Sequence, residues 1–133
     1  MSPKLKKMKT KACVLRPFRD ARQIWKGLET EGSRRKLFHL VDVDLHDSKH
    51  LVAGLAMFEP GEGAAFHTHP DSEEINVAIK GRGKLVADGR ELAFDTYDFM
   101  YIPAGTHHCH FNTGDEPLWL VYVYGPPGQL PAK

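Results

Sequence analysis

The sequence predicts an all-β protein, a β-sandwich or barrel, from closely spaced strand-like segments and a near absence of helical pattern. Segments rich in β-branched and aromatic residues follow one another at short intervals over residues 34–124. Turn-forming residues separate them, among them the run at 59–63 and the two-residue hairpin signal Asp88-Gly89. Many short strands joined by tight turns are typical of sandwiches and barrels.

The first 30 residues carry weaker signals. Residues 1–11 contain five lysines, too densely spaced to pack, and are predicted to form a basic flexible tail. Residues 13–18 are predicted as a short edge strand that ends near Pro17. Residues 20–28 are predicted as one or two turns of helix, with Ile24 and Trp25 as anchors.

Nine further segments are predicted as strands, and the polar residues 44–49 as a turn between the first two. The strands cover residues 34–43, 50–58, 64–69, 74–80, 84–87, 90–94, 98–102, 108–112 and 118–124. Residues 126–133 contain three prolines and are predicted as a flexible C-terminal tail. Residues 12–125 are therefore predicted to form one domain, which is long enough to bury a core.

The composition indicates an ordinary soluble protein. Of 133 residues, 41% are hydrophobic and 26% charged. No apolar run approaches the roughly 20 residues that a membrane helix needs, and no secretory signal follows the first lysines. Cys13 and Cys109 are too few for a disulfide framework. We therefore expect a cytoplasmic protein without a membrane partner.

Charge is divided unevenly along the chain. Residues 1–36 contain twelve Lys and Arg against three Asp and Glu, whereas residues 37–133 contain six against fourteen. A basic arm can contact nucleic acid, or it can be solvated or lie on an acidic body. No aromatic residue precedes Phe18, and the lysines form no amphipathic stripe. These observations favour a solvated tail, so no nucleic-acid partner is predicted.

Four residues of metal-ligand type are the main candidates for function. His67 and His69 are one residue apart, so on a strand they point to the same side. A carboxylate follows at Glu73 or Glu74, of which only one can face the same way, and His108 lies in a later strand. Three imidazoles and one carboxylate suit a divalent transition ion with open positions, whereas structural zinc sites favour thiolates. We expect one such ion, with iron, manganese, nickel, zinc and copper all possible.

The spacing of these residues resembles the two motifs of the cupin superfamily, in particular its single-domain conserved-barrel type. The first motif (Gly, five residues, His-x-His, three or four residues, Glu, six residues, Gly) is matched by Gly61, His67, His69, Glu74 and Gly81. The second is matched by Pro103, Gly105, His108 and Asn112, although Tyr97 stands at its initial Gly. The resemblance covers roughly residues 34–124. It implies a double-stranded β-helix or jelly-roll barrel, and it favours Glu74 over Glu73 as the fourth ligand.

Five residues are candidates for lining a substrate pocket. Alternation from the ligands places Asn76, Ala78, Ala65 and His110 on the inner face, and Tyr101 lies on a strand that should line or close the barrel. Asn76 offers both a hydrogen-bond donor and an acceptor. In some family members with lyase activity the position of Asn76 is a tyrosine, so its absence counts against that activity.

The resemblance implies a small metal-dependent enzyme of dioxygenase, lyase or isomerase type, acting on a small oxygen-bearing metabolite. Because a fold does not fix a function, a non-catalytic module that binds a small ligand is the alternative. Similar cupins usually dimerise, commonly through N-terminal strands added to the neighbour's sheet. We therefore expect a homodimer.

Overall fold

Two antiparallel β-sheets form the framework of the structure, a computed structural model that describes residues 11–128. The strands are β1 (Arg22–Lys26), β2 (Arg35–Val41), β3 (Val52–Phe58), β4 (Glu73–Lys80), β5 (Gly83–Ala87), β6 (Arg90–Phe94), β7 (Phe99–Ile102), β8 (His108–Asn112) and β9 (Leu118–Gly125). Two four-residue helices, α1 (Pro17–Asp20) and α2 (Val43–His46), accompany them. The larger sheet has the order β1-β2-β3-β9-β4-β7 and the smaller one β6-β5-β8. The predicted all-β fold is confirmed.

The core lies between the two sheets. Along β9 buried and half-buried residues alternate without a break, as expected for a strand with one face on a core. Leu118 and Leu120 of β9, Val52 of β3 and Ala78 of β4 are almost completely buried, and Leu85 of β5 meets them from the smaller sheet. This arrangement leaves a cavity whose wall includes residues of β1, β2 and β4.

The structure changes both predictions for residues 13–28. The edge strand at 13–18 is wrong, because Pro17 begins α1, where its fixed φ suits the first turn of a helix. The helix at 20–28 is also wrong, since Arg22–Lys26 forms β1 and pairs with β2. Ile24, directly opposite Leu37, is buried in the core. Sheet pairing therefore overrides the weak helical signal.

The segment between β2 and β3 contains a helix rather than only the predicted turn. Asp42 is the N-cap of α2, and its side chain accepts hydrogen bonds from the backbone N–H groups of Asp44 and Leu45, both at 2.8 Å. An aspartate is among the preferred residues for this position, because it satisfies N–H groups that the helix leaves free.

Residues 64–69 form no regular strand, so that prediction is wrong. Isolated bridges at Gly63–Phe111 and His67–His108 hold the segment against β8 instead. A Cβ at Gly63 would lie 2.4 Å from the Phe111 ring, so the close approach requires glycine. The backbone of His67 exchanges two hydrogen bonds of 3.0 Å with that of His108. This exchange sets two predicted ligands side by side.

Most of the predicted tails falls outside the described residues. Of the tail at 1–11 only Lys11 is described, and of the tail at 126–133 only residues 126–128, which have no regular structure. The division into two tails and a domain at 12–125 therefore stays a prediction. In the described part of the chain, no helix is long and apolar enough to cross a membrane.

Candidate metal centre

The four predicted ligands converge between the two sheets. His67 and His69 come from the segment before β4, Glu74 from β4 and His108 from β8. Their candidate ligand atoms all lie within 4.8 Å of one another. Oε1 of Glu74 is 3.4 Å from Nε2 of His69 and 3.4 Å from Nε2 of His108. Glu73, the competing carboxylate, is exposed and its Oε1 accepts a 2.7 Å hydrogen bond from the Tyr101 hydroxyl.

Backbone carbonyls orient two of the imidazole rings. Nδ1 of His67 lies 2.9 Å from the carbonyl oxygen of Ala65, and Nδ1 of His108 lies 2.8 Å from that of Thr106. A carbonyl can only accept, so in each ring Nδ1–H donates and Nε2 keeps its lone pair. A hydrogen bond of this kind on the far nitrogen is typical of metal-binding histidines.

Two buried atoms of this cluster have no hydrogen-bond partner among the described residues: Oε1 of Glu74 and Nε2 of His108. Leaving such groups unsatisfied inside a protein costs about 1–3 kcal/mol each, and more for a charged group. The other carboxylate oxygen of Glu74 is satisfied by Nδ2 of Asn76 at 2.9 Å. The unsatisfied atoms therefore point into the space that the four side chains enclose, and a cation there would complete them.

The protonation states of His67, His69 and Glu74 also fit a cation. Burial lowers the pKa of His67 to about 4 and lowers the pKa of His69, so both are neutral at pH 7. Burial alone would raise the pKa of Glu74, but His108 nearby and the hydrogen bond from Asn76 bring it down to about 2. Burial opposes the charged form of His108, yet Glu74 and the Thr106 carbonyl raise its pKa. Neutral imidazoles and an ionised carboxylate are the forms that bind metals.

A cavity of about 280 Å³ adjoins the cluster. Its wall contains the apolar side chains of Leu37, Ala56, Phe58, Ala64 and Leu120 and the polar ones of Lys26, Arg35, Thr68, Asn76, His110, Tyr122 and Tyr124. His67, His69 and Glu74 form part of the same wall. A small ligand in this cavity would contact the centre directly.

Of the five predicted pocket residues, Asn76 and His110 line the cavity. Nε2 of His110 is 2.9 Å from Oδ1 of Asn76, which continues the chain of contacts from Glu74. Ala65 is exposed and Ala64 lines the cavity in its place, because the irregular backbone at 64–69 breaks strand alternation. Ala78 packs in the core. Tyr101 is 57% exposed on the outer face of β7, so it does not reach the cavity.

Sequence reasoning missed Lys26 and Arg35. Both line the cavity, and they are directly opposite each other in the β1–β2 pairing. Alternation back from the buried Leu37 would have placed Arg35 on the inner face, but the helix predicted at 20–28 concealed Lys26. Tyr124 also lines the cavity, and its ring stacks on that of His69 with 4.6 Å between centroids.

A second buried polar cluster lies on the larger sheet, formed by Asp42, His39 and Tyr122. Nε2 of His39 is 2.7 Å from Oδ2 of Asp42, and Nδ1 is 2.7 Å from the Tyr122 hydroxyl. Nε2–H therefore donates to the carboxylate, and the hydroxyl donates to Nδ1. Gly54 lies opposite Tyr122, and a Cβ there would be 2.4 Å from that hydroxyl. The tyrosine reaches across β3 only because this position has no side chain.

Comparison with known proteins connects the stretch that contains the four predicted ligands to a family. The model of the Cupin domain family matches residues 54–124. "Polyketide synthase CurC" of Streptomyces cyaneus is 33% identical over 79 residues, which are 59% of this chain and 51% of that protein. Oxalate decarboxylase OxdC of Bacillus subtilis is 28% identical over 102 residues, 73% of this chain but 26% of that protein. The chain thus spans about half of the first relative and a quarter of the second.

A solved structure supports the architecture. An uncharacterized conserved protein with a double-stranded β-helix domain from Klebsiella pneumoniae superposes with a TM-score of 0.69 over 90% of this chain and 93% of that one. At 19% identity this likeness shows the fold alone. It confirms the predicted double-stranded β-helix.

Proposed function

The chain belongs to the cupin family, and we propose that it is a small metal-dependent enzyme, of dioxygenase, lyase or isomerase type, acting on a small oxygen-bearing metabolite. The observation that carries this proposal is the convergence of three imidazoles and one carboxylate, two of whose buried atoms have no partner within residues 11–128. The centre forms part of the wall of a cavity of about 280 Å³, which is large enough for a metabolite of a few carbon atoms.

His67, His69, Glu74 and His108 would hold one divalent transition ion, with iron, manganese, nickel, zinc and copper as the candidates. Such an ion, when bound, supplies Lewis-acid or redox chemistry to oxygen atoms of a substrate. Three nitrogen ligands and one oxygen ligand are typical of catalytic rather than structural sites, which are usually closed by thiolates. The cysteines that the structure describes lie elsewhere, Cys13 exposed and Cys109 buried.

The remaining polar residues position the ligands and the substrate. Asn76 donates to one oxygen of Glu74, which directs the other oxygen towards the imidazoles. Burial lowers the pKa of His110 to about 3, so this ring stays neutral, and a hydrogen bond of 2.9 Å links it to Asn76. The apolar wall around Phe58 and Leu120 limits water around a bound substrate.

Elemental analysis of protein purified without an affinity tag or chelator, beside a His69→Ala variant, tests this proposal. We expect close to one transition ion per chain in the wild type and its loss in the variant. Iron, manganese, copper or nickel would direct the next assay to oxygen uptake, and zinc to lyase or isomerase reactions. Protein that holds no ion and takes none up on reconstitution would contradict the proposal.

The alternative is a non-catalytic module that captures a small ligand in the same cavity. The match to OxdC favours an enzyme, but because the chain spans 26% of that protein its activity does not carry over by itself. A panel of diketones, phenols, hydroxy acids and sugars separates the two functions. Turnover of any member supports the enzyme, whereas ligands that raise the melting temperature without turnover support the binding module.

We also propose a homodimer that resides in the cytoplasm, a location supported by the two free cysteines. The outer face of β4 and β7 exposes large apolar side chains: Ile75 is 40%, Phe99 74% and Tyr101 57% exposed. An apolar face of this kind is typical of a protein–protein interface. Gel filtration should give about twice the 15.0 kDa of one chain.

Substitution tests whether this face forms the dimer. Phe99→Asp should yield a monomer, whereas Leu92→Asp on β6 of the smaller sheet should remain a dimer. A wild-type monomer would contradict the proposal.

A further inference from the structure

We propose that the cavity recognises its substrate as a small carboxylate and that Arg35, assisted by Lys26, forms the anion-binding part of the site. This inference rests on the proposed function and names the substrate class of the same centre. It comes from two cations that the sheet brings together in the cavity wall.

The pairing of β1 with β2 places Lys26 and Arg35 directly opposite each other. Like charges at directly opposite positions of an antiparallel pair destabilise the sheet. Both side chains line the cavity rather than extending fully into solvent. Arg35 is half-buried, and this burial disfavours its charged form and lowers its pKa. An anion between or beside the two cations would offset both their mutual repulsion and the burial of the Arg35 charge.

Within residues 11–128, no carboxylate forms an ion pair with Lys26 or Arg35, although neighbouring arginines have such partners. Arg34, the preceding residue, is 3.5 Å from Oε2 of Glu62, and Arg22 on β1 is 3.6 Å from Oδ2 of Asp42. The sheet therefore places carboxylates within ion-pair distance of the arginines beside the cavity, whereas Glu74 acts on Arg35 only from further away.

The charge of the cavity favours an anion as ligand. Lys26 and Arg35 provide two positive charges, and Glu74 is the one carboxylate among the described lining residues. Arg35 lines the same cavity as His67 and His110, so it faces the same space as the centre. A divalent ion held by the four ligands would increase the positive excess further.

A carboxylate fits this excess better than a neutral oxygen ligand. The planar fork of a guanidinium matches the two oxygens of a carboxylate, and such charge-assisted hydrogen bonds are about twice as strong as neutral ones. The apolar part of the cavity wall, with Leu37, Ala56 and Phe58, suits a short carbon skeleton. Phosphate also binds guanidinium groups but has no apolar part to place against these side chains. It therefore serves as the contrasting anion in the titration.

Calorimetric titration of zinc-loaded protein with malonate, malonamide and inorganic phosphate at constant ionic strength tests the proposal. Malonate should bind about tenfold or more tightly than neutral malonamide, which has the same shape. Arg35→Gln should weaken malonate binding by about tenfold or more and leave the zinc content unchanged, and Lys26→Gln should weaken it less.

Lys36→Gln is the matched control. It removes the same charge from the neighbouring position of β2, where the Lys36 ammonium lies 5.5 Å from the centre of the Trp25 ring on the outer face. This variant should bind malonate like the wild type. Equal malonate affinity of wild type and Arg35→Gln, equal binding of malonate and malonamide, or tighter binding of phosphate than of malonate would each overturn the proposal.

The same titration separates this inference from the proposed function. If wild-type protein takes up no metal ion, the proposed function fails, and the titrations are repeated on metal-free protein. If metal-free protein binds malonate and the binding depends on Arg35, the proposed anion site stands. If metal-free protein does not bind malonate, the anion site is overturned as well. If zinc binds but malonate does not, the anion site alone is overturned.

Discussion

Two buried clusters of this protein each combine histidine with a carboxylate but differ in how their polar atoms are satisfied. In the first, His39 connects Asp42 to Tyr122 through two hydrogen bonds of 2.7 Å. In the second, the candidate metal centre, Oε1 of Glu74 and Nε2 of His108 are buried and have no hydrogen-bond partner in the described part of the chain. The polar atoms of the first cluster find their partners within the protein, whereas those of the second call for a bound ligand.

This difference indicates that a histidine beside a buried carboxylate is not by itself a sign of metal binding. The cluster around His39 joins β2 to β9 and caps α2, and its hydrogen-bonding capacity is used within the fold. The centre around Glu74 uses only the atoms that orient it, such as Nδ1 of His108 on the Thr106 carbonyl. Unsatisfied groups that face one another therefore distinguish a binding site from a structural network.

The largest expected effect is the loss of metal when a ligand of the centre changes. Glu74→Gln keeps the shape of the side chain but removes its charge, and His108→Ala removes an imidazole. We expect each to weaken metal affinity by more than about 100-fold, since even residues that only support a ligand are worth about 10- to 100-fold. Competition with a chromophoric chelator measures this affinity. If Glu74→Gln protein binds the metal with an affinity within tenfold of that of wild type, the proposed distinction between the clusters fails.

The second effect concerns stability and belongs to the satisfied cluster. Asp42→Ala removes the acceptor of His39 and the cap of α2, and we expect the free energy of unfolding to fall by about 3 kcal/mol. Urea denaturation measures the change, and Asp44→Ala in the exposed first turn of α2 is the control, with a change below about 0.5 kcal/mol. The metal affinity of the folded variant should equal that of wild type. If Asp42→Ala loses metal affinity but keeps its stability, the cluster around His39 is not the structural one and this interpretation is wrong.

The third effect is stabilisation by the metal itself. An ion that binds only the folded protein adds about 1.4 kcal/mol to the free energy of unfolding when its free concentration is ten times its dissociation constant. Thermal unfolding with and without added zinc should therefore show a higher melting temperature for wild type and for Asp42→Ala. Glu74→Gln should show no shift under the same conditions. A shift of equal size in Glu74→Gln would mean that zinc binds elsewhere.

The smallest effect is the dependence of stability on pH in the metal-free protein. Burial lowers the pKa of His39 in spite of Asp42, so below about pH 6.5 the unfolded chain takes up a proton that the folded protein does not. The free energy of unfolding must then decrease as the pH falls, by at most about 1.4 kcal/mol per pH unit for this group. His67, with a pKa of about 4, contributes with the same sign.

Urea titrations at pH 7, 6 and 5 measure this dependence, and His39→Gln provides the comparison because glutamine does not titrate. The variant should be less stable at pH 7 but should lose less stability between pH 7 and pH 5 than wild type does. Parallel curves for the two proteins would show that His39 titrates equally in the folded and the unfolded state.

The predictions from sequence succeeded where the information is local. The hairpin of β5 and β6 follows from Asp88-Gly89, and both residues have the positive φ that this turn requires. The alternation of β9 is equally direct. The spacing of His67, His69 and Glu74 also points to side chains that lie within reach of one another, and their role as metal ligands stays a prediction.

The failures concern features that depend on distant parts of the chain. Strand β1 lies at the edge of the sheet, and its five residues carry little signal of their own until β2 pairs with them. The opposition of Lys26 and Arg35 is a property of that register and not of either segment alone. Ala65 was misplaced for a related reason, since the bridges of residues 63 and 67 to β8, rather than regular strand pairing, decide which side chains face inward.

The carbonyl groups of Ala65 and Thr106 have a consequence for how the centre would respond to different ions. Because they hold the rings of His67 and His108 by Nδ1, these rings give up little rotational entropy when an ion arrives. Folding thus sets the orientation of these two rings before any ion binds. A spectroscopically active ion such as cobalt, bound in this protein, should therefore report the geometry that the two rings impose.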